Sequence, residues 1–216
     1  MALKIQKKWR RFKMSSTTAA VKVRRTDTSK VVKIGMLSAV SIVLMMFEIS
    51  FPIFPFFLKM DISDIPALVG TVAMGPLAGV LIELIKNVLH LFKTSTAGVG
   101  ELANFLTGIA LVVPIGVMYK KNHTLKNFVI GSIIGACVMV VVACVFNYYI
   151  LIPAFAKTFG TDIEEFVNIA NAVTPMVVDF KTLIFFSIAP FNLLKAVIVA
   201  PVAYLVCKVL KPVFNR

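Results

Sequence analysis

The chain has 216 residues, of which 59% are hydrophobic and 15% charged, and it carries a net charge of +13. Soluble domains run at roughly 45–50% apolar and about 25% charged, so an ordinary soluble domain is excluded, and with it a soluble nucleic-acid binder whose charge would have to cover a greasy surface. A spanning helix takes about 20 apolar residues, and six of them would leave only short loops, so the default is one compact helical membrane domain.

Residues 1–30 form a polar, basic tail. Its lysines and arginines, from Lys4 to Lys30, are opposed by Asp27 alone, and Ser15-Ser16-Thr17-Thr18 argues against a packed core. The tail reads as a cytoplasmic arm drawn to anionic lipid, at about 1 kcal/mol per basic residue near the surface. The basic region is too long for a cleaved signal peptide, and no small-x-small site follows the apolar run.

Residues 31–212 read as the membrane domain, with six apolar segments at 31–51, 65–74, 77–92, 101–119, 128–152 and 183–210. The first is expected to stop at Pro52 and Pro55, and the second at Gly75-Pro76. No charge holds the Met74-Gly75-Pro76 turn in water, so the second and third segments are not both expected to span fully. Hydrocarbon tolerates no unpaired backbone groups, so the segments are helices; barrel strands would be shorter and strictly alternating. The fold class is therefore an all-α membrane protein, a bundle of six transmembrane helices. The stretch from Pro153 to Thr182 is long and mixed, with Asp162, Glu164, Glu165 and Asp179, and is expected to hold a short interfacial helix.

Basic residues set orientation. With the N-terminus inside, the tail through Lys33, the Lys120–Lys126 loop and the C-terminal end hold 17 of the 23 basic residues on the cytoplasmic side. N-in, C-in follows.

Polar side chains in a bilayer are expensive and face the bundle interior or a wet cavity. Here Glu48, Lys59, Asp61, Asp64, Thr94, Ser95, Thr96, Glu101, Asn104, Asn147, Asn192 and Lys195 gather at the expected outer helix ends and loops, while the inner half is poor in them. That gradient reads as a cup open to the outside and closed below, not a channel. Asn192 and Lys195 are three apart, on one helix face just after Pro190. Glu83 and Lys86, also three apart, have the spacing of a local pair. Asp61 and Asp64 read mainly as lid or helix-capping residues, since an Asp before Ile65-Pro66 suits a helix start.

Small residues four apart mark close helix approaches: Gly35/Ala39, Gly75/Gly79 and Gly131/Gly135. Gly35/Ala39 lies near the cytoplasmic end and is free to dock another membrane protein. Cys137, Cys144 and Cys207 sit in apolar stretches, and His90 and His123 have no metal-site partners in the sequence, so no metal is expected. No phosphate-binding loop or nucleophile–base set occurs. The chain is not expected to be an enzyme, and uphill transport would draw its energy from a partner.

Two stretches point to a family. Phe57-Leu58-Lys59-Met60-Asp61-Ile62-Ser63-Asp64-Ile65-Pro66-Ala67-Leu68, running on to Gly75-Pro76, resembles the first outer loop and second helix of riboflavin-specific S-components of energy-coupling factor (ECF) vitamin transporters. Lys86-Asn87-Val88-Leu89-His90 with Gly98-Val99-Gly100-Glu101-Leu102-Ala103-Asn104-Phe105-Leu106 resembles that family's third helix and the start of its fourth. The likeness covers residues 30–210; the Pro153–Thr182 stretch departs from it. The resemblance implies a bacterial cytoplasmic-membrane protein that holds riboflavin near the external face under a lid formed by the first outer loop. It implies as partners a transmembrane coupling protein, docked on Gly35/Ala39, and two ATPases, with no cofactor beyond the transported flavin. By the same resemblance Asn192, Lys195 and Asn147 are ligand-binding residues. Thr94, Ser95 and Gly98 are expected to meet the ribityl chain, and Glu101 and Asn104 complete the candidate set. FMN and FAD are open as further ligands, because the ring would be read alike. Competing readings are an S-component for another vitamin and a small membrane channel or enzyme.

Overall fold

The computed structural model describes residues 25–94 and 96–214. Ser95 and residues 1–24 of the basic tail lie outside the described residues. The chain divides into two units, Met1–Val32 and Lys33–Arg216. The described part of the first is helical from Arg25; all packing below belongs to the second.

Helix α1, Arg25–Met45, starts before the expected boundary at 31 and ends well before Pro52. The apolar run after Met45 turns into a small hairpin instead, β1 (Ile49–Ser50) against β2 (Lys59–Met60), antiparallel with Ile49 opposite Met60 and Ser50 opposite Lys59. The prolines therefore sit inside the loop 46–63 rather than closing the helix.

Helix α2 (Asp64–Met74) and helix α3 (Pro76–His90) meet at Gly75, whose φ of 100° is open to glycine at little cost, with Pro76 opening the next helix. With 11 and 15 residues they are about 17 and 23 Å long at 1.5 Å per residue, short of the roughly 30 Å of hydrocarbon. Helix α4 (Val99–Lys121) and helix α5 (Leu125–Phe146) form an antiparallel pair. Past α5 the chain makes a π-turn at Asn147–Leu151 and continues as α6 (Ile152–Phe159). Helix α7, Ile163–Val173, is the short helix expected between the fifth and sixth segments. Helix α8 (Phe180–Leu183), a π-turn at Ile184–Ile188 and α9 (Ala189–Phe214) close the chain as one continuous helical stretch. Asp179 starts it with a capping box, its carboxylate accepting from the Thr182 amide and hydroxyl, and these bonds hold it below the usual carboxylate range.

Among the described residues four helices are long and apolar enough to cross a membrane: Thr28–Met45, Val99–Lys121, Leu125–Phe159 and Phe180–Leu210. Counted as continuous stretches, the described residues form seven helical segments, α7 lying outside the six apolar ones. The fold is thus mostly helical, as expected.

The small-residue steps divide by role. A Cβ on Gly131 would lie 2.8 Å from Ile115 Cα, and one on Gly135 2.7 Å from the Leu111 carbonyl oxygen, so α5 lies directly on the α4 backbone there. Gly79 backs onto Thr71 and Val112, whereas Gly75 has nothing within 4 Å and serves the turn. Gly135→Leu should therefore cost about 1–3 kcal/mol by overpacking, read as a lower unfolding midpoint in detergent; an unchanged midpoint would mean that the α4–α5 crossing yields freely.

A candidate ligand cavity lined by three oriented amides

Two apolar clusters build the interior. One gathers Leu68, Ile82, Leu111, Ile115, Met139 and Val199; the other gathers Phe54, Phe146, Ile152, Phe155, Phe166 and Phe191. The second surrounds a cavity of about 610 Å³. Its aromatic wall joins distant parts of the chain. Phe57 of the loop 46–63 meets Phe166 of α7 edge-on at 5.5 Å between ring centroids, and Phe54 meets Phe191 of α9 at 5.3 Å. Phe155 and Phe159 of α6 and Ile169 of α7 add to the lining. The sequence reading assigned no ligand contact to α6 or α7. The signal was present in Phe166, Val167 and Ala170, which recur at helical spacing and are buried.

Of the residues singled out in the sequence, Thr96, Gly100, Glu101, Asn104, Asn147, Asn192 and Lys195 come together on this wall, and Glu48, Lys59 and Asp61 line the cavity with them; Thr94 and Gly98 do not reach it. The last two build the turn into α4. The Thr94 hydroxyl accepts from the amides of Thr96 (3.1 Å) and Gly98 (3.2 Å) and donates to Glu101 Oε2 (2.9 Å). Gly98 itself is left-handed at φ 86°. The Thr96 hydroxyl also donates to Glu101 Oε2, at 2.9 Å. Glu101 Oε1 in turn lies 2.9 Å from His90 Nδ1, and His90 Nε2 lies 3.4 Å from Glu48 Oε1. Glu48 closes the chain of contacts on Lys59 at 3.0 Å.

The three asparagines are oriented by their other bonds. Asn147 Nδ2 donates to the Ala143 carbonyl at 2.8 Å, and Asn192 Nδ2 to the Ile188 carbonyl at 2.9 Å, each one turn back on its own helix. Asn147 opens a π-turn, a feature that often marks functional positions, and Asn192 lies on α9 four residues past the end of the other. Each amide keeps Oδ1 as an acceptor for a ligand. Asn104 is set the other way. Its Oδ1 accepts from Lys195 Nζ at 3.0 Å, while its Nδ2 has only a weak contact at 3.8 Å to Met45 Sδ, leaving it a donor.

Against the wall, with Asp61 itself lining the cavity, lies a buried charge cluster that adds ion pairing to the lid and capping reading of Asp61 and Asp64. Asp64 opens α2 as expected, but makes no cap. One of its oxygens pairs with Lys86 of α3 and the other with Lys195 of α9, at 3.1 Å. Lys86 also takes Glu83, at 2.9 Å, and the Ser63 hydroxyl, at 2.8 Å. The Glu83–Lys86 pair expected from spacing is therefore one edge of a larger network. Asp61 Oδ2 lies 3.2 Å from Lys195 Nζ, and its Oδ1 accepts from the Ser63 amide at 2.8 Å and from the Ser63 hydroxyl. Ions this deep persist only when paired. Among the described residues no group of three or more His, Cys, Asp or Glu side chains is arranged to hold a metal ion.

Residues 29–207 match the family described as ECF transporter, substrate-specific component. The chain is 34% identical over 188 residues to the riboflavin transporter FmnP of Bacillus subtilis (strain 168), covering 85% of this chain and 92% of that one. It is 31% identical over 195 residues to the riboflavin transporter RibU of Staphylococcus aureus (strain TCH60), covering 90% and 97%. A solved structure of the S component of a bacterial ECF transporter superposes with a TM-score of 0.69 at 28% identity, over 88% of this chain and 99% of that one.

Proposed function

Because the chain belongs to the family of ECF transporter substrate-specific components, we propose that it captures riboflavin in this cavity and hands it to an ATP-driven partner module for uptake. It is a transport component, not an enzyme, and the flavin is cargo rather than cofactor.

The observation that carries the reading is the pairing of an aromatic wall with amides of fixed polarity. An isoalloxazine ring is flat and largely apolar, and its pyrimidine edge alternates a carbonyl, an imide N–H and a second carbonyl. A pocket for it needs apolar walls and a few placed polar groups. Asn147 and Asn192 offer acceptors for the imide N–H or ribityl hydroxyls, and Asn104 offers a donor for a ring carbonyl. Lys195 serves this set through Asn104. Glu101 and Thr96 serve it through the shape of the turn into α4, to which Thr94 and Gly98 also belong; Ser95 stays in the proposed set on the family resemblance alone.

The finer picture follows the same reading. Six of the helical segments lie in the bacterial cytoplasmic membrane with both termini inside, on the charge distribution given above. The cavity opens outward beneath the loop 46–63. The partner module is a transmembrane coupling protein with two ATPases, and Gly35 and Ala39 face the coupling protein. FMN and FAD enter the same site where the rim admits a phosphate.

Detergent-purified protein should carry or take up riboflavin, seen as flavin absorption and as quenching of riboflavin fluorescence on titration. A protein that ignores riboflavin yet binds thiamine or biotin would sink the assignment. Asn192→Ala should weaken binding by about 1–3 kcal/mol, the cost of an unmade buried hydrogen bond. An unchanged dissociation constant would remove Asn192 from the site.

A further inference from the structure

Lys195 sits 4% exposed on α9, and its ammonium has three N–H groups. Three acceptors surround it: Asn104 Oδ1 at 3.0 Å, Asp64 Oδ2 at 3.1 Å and Asp61 Oδ2 at 3.2 Å. Asn104 and Asp61 accept hydrogen bonds from it, and Asp64 is held as an ion pair. The side chain that looked from the sequence like a direct ligand donor lines the cavity and is also a three-way tie among α4, α2 and the end of the outer loop.

The ties differ in kind. Asp64 is fully buried and is itself gripped by Lys86, so it is a fixed post. Asp61 belongs to the segment after β2, and its two oxygens face opposite ways. Oδ1 collects the amide and hydroxyl of Ser63, and Oδ2 reaches α9. It therefore joins the base of the loop 46–63 to the helix that carries Asn192. The other end of the loop is held by Glu48 near His90, and its middle by Phe54 against Phe191.

We propose that Asp61 and Asp64 are positioning residues that act on the ligand through Lys195: Asp64 fixes the ammonium, and Asp61 uses it to latch the outer loop over the cavity. Removing the Asp61 charge leaves Lys195 still neutralised by Asp64, so the fold survives while the loop loses its anchor. The binding consequence rests on the riboflavin reading; the latch itself does not.

Two measurements on the full chain in lipid nanodiscs test it, using Asp61→Asn, Lys195→Met and the double variant. The first needs no ligand. Lys59, the one lysine or arginine in the loop 46–63, should be cut by trypsin about fivefold faster or more in each single variant, and no faster in the double, as for two residues of one tie. The second is riboflavin dissociation, expected to quicken about tenfold in Asp61→Asn with association within about twofold, since a lost tie acts mainly on release. Asp61→Glu should restore both in part, which a merely misfolded variant would not allow. Cleavage unchanged in the single variants, or effects that multiply in the double, would overturn the latch. Wild-type protein that binds no riboflavin would sink the functional reading alone, because the protease arm still decides the latch. Should Lys195→Met fail to fold, Asp61→Asn against Asp61→Glu carries the same comparison.

Discussion

Lys86→Met should destabilise the folded protein by about 3–5 kcal/mol, the usual cost of removing one partner from a buried ion pair, while keeping nearly the same side-chain length. Lys86 is fully buried, and its ammonium meets Asp64, Glu83 and Ser63 together. Without it Asp64 keeps Lys195, but Glu83 is left as a buried carboxylate with no cation beside it. Glu83 has no room to turn away, because Gly108 on α4 packs so closely that a Cβ there would overlap its carboxylate. Adding Glu83→Leu to Lys86→Met should recover at least half of the loss, since an apolar replacement of both members costs far less than an orphaned charge. Equilibrium unfolding in mixed micelles measures both. A loss under about 1 kcal/mol in the single variant would mean that water reaches Glu83 and the cluster is not sealed.

The same cluster shows what could be read from the chain without coordinates. Helix positions were legible because apolar length and the ban on bare backbone leave few choices: five of the six segments end within a few residues of their helices, or, at 152, at a π-turn through which the helix runs on. The family likeness was carried by local runs such as Lys59–Leu68 and Gly98–Leu106, and it holds. The end of the first helix was missed because Met46–Phe51 is apolar enough to pass for helix, and a two-residue hairpin leaves almost no periodic trace. The partners of Asp64 were missed for a different reason. Its cation, Lys195, is 131 positions away in sequence, and spacing arguments see only neighbours within a turn or two. One clue was present. Asp64, Glu83, Lys86 and Lys195 all lie in or beside apolar segments, and charges in such places must find one another. Counting them as one set would have drawn the network before its geometry was known. The amide polarities had no such trace, since only the bonds back to Ala143 and Ile188 and across to Lys195 decide which atom is left for a ligand.

Gly35→Trp should abolish uptake by the assembled transporter while leaving riboflavin binding within about twofold. The argument begins with the two faces of α1. Ser38 and Ser41 are buried, and the Ser41 hydroxyl donates to the Ser63 carbonyl at 2.7 Å, which fastens the inward face. Gly35, Met36, Ala39 and Val40 are exposed on the other, and a Cβ placed on Gly35 meets no atom within 4 Å. The bundle therefore has no internal use for a glycine at that position, unlike Gly131 and Gly135, which press on α4. A bare small-residue step on an open face fits the close approach of a partner helix, and the partner module proposed above would supply one. An indole at position 35 holds that helix off without touching the cavity, and losing about 1.4 kcal/mol or more of docking is tenfold or more in complex formed. Transport of labelled riboflavin into vesicles holding the coupling protein and both ATPases reads the first effect, and fluorescence titration of the isolated chain reads the second. Uptake that survives the tryptophan would place the docking surface elsewhere; binding lost along with uptake would mean that α1 also shapes the cavity.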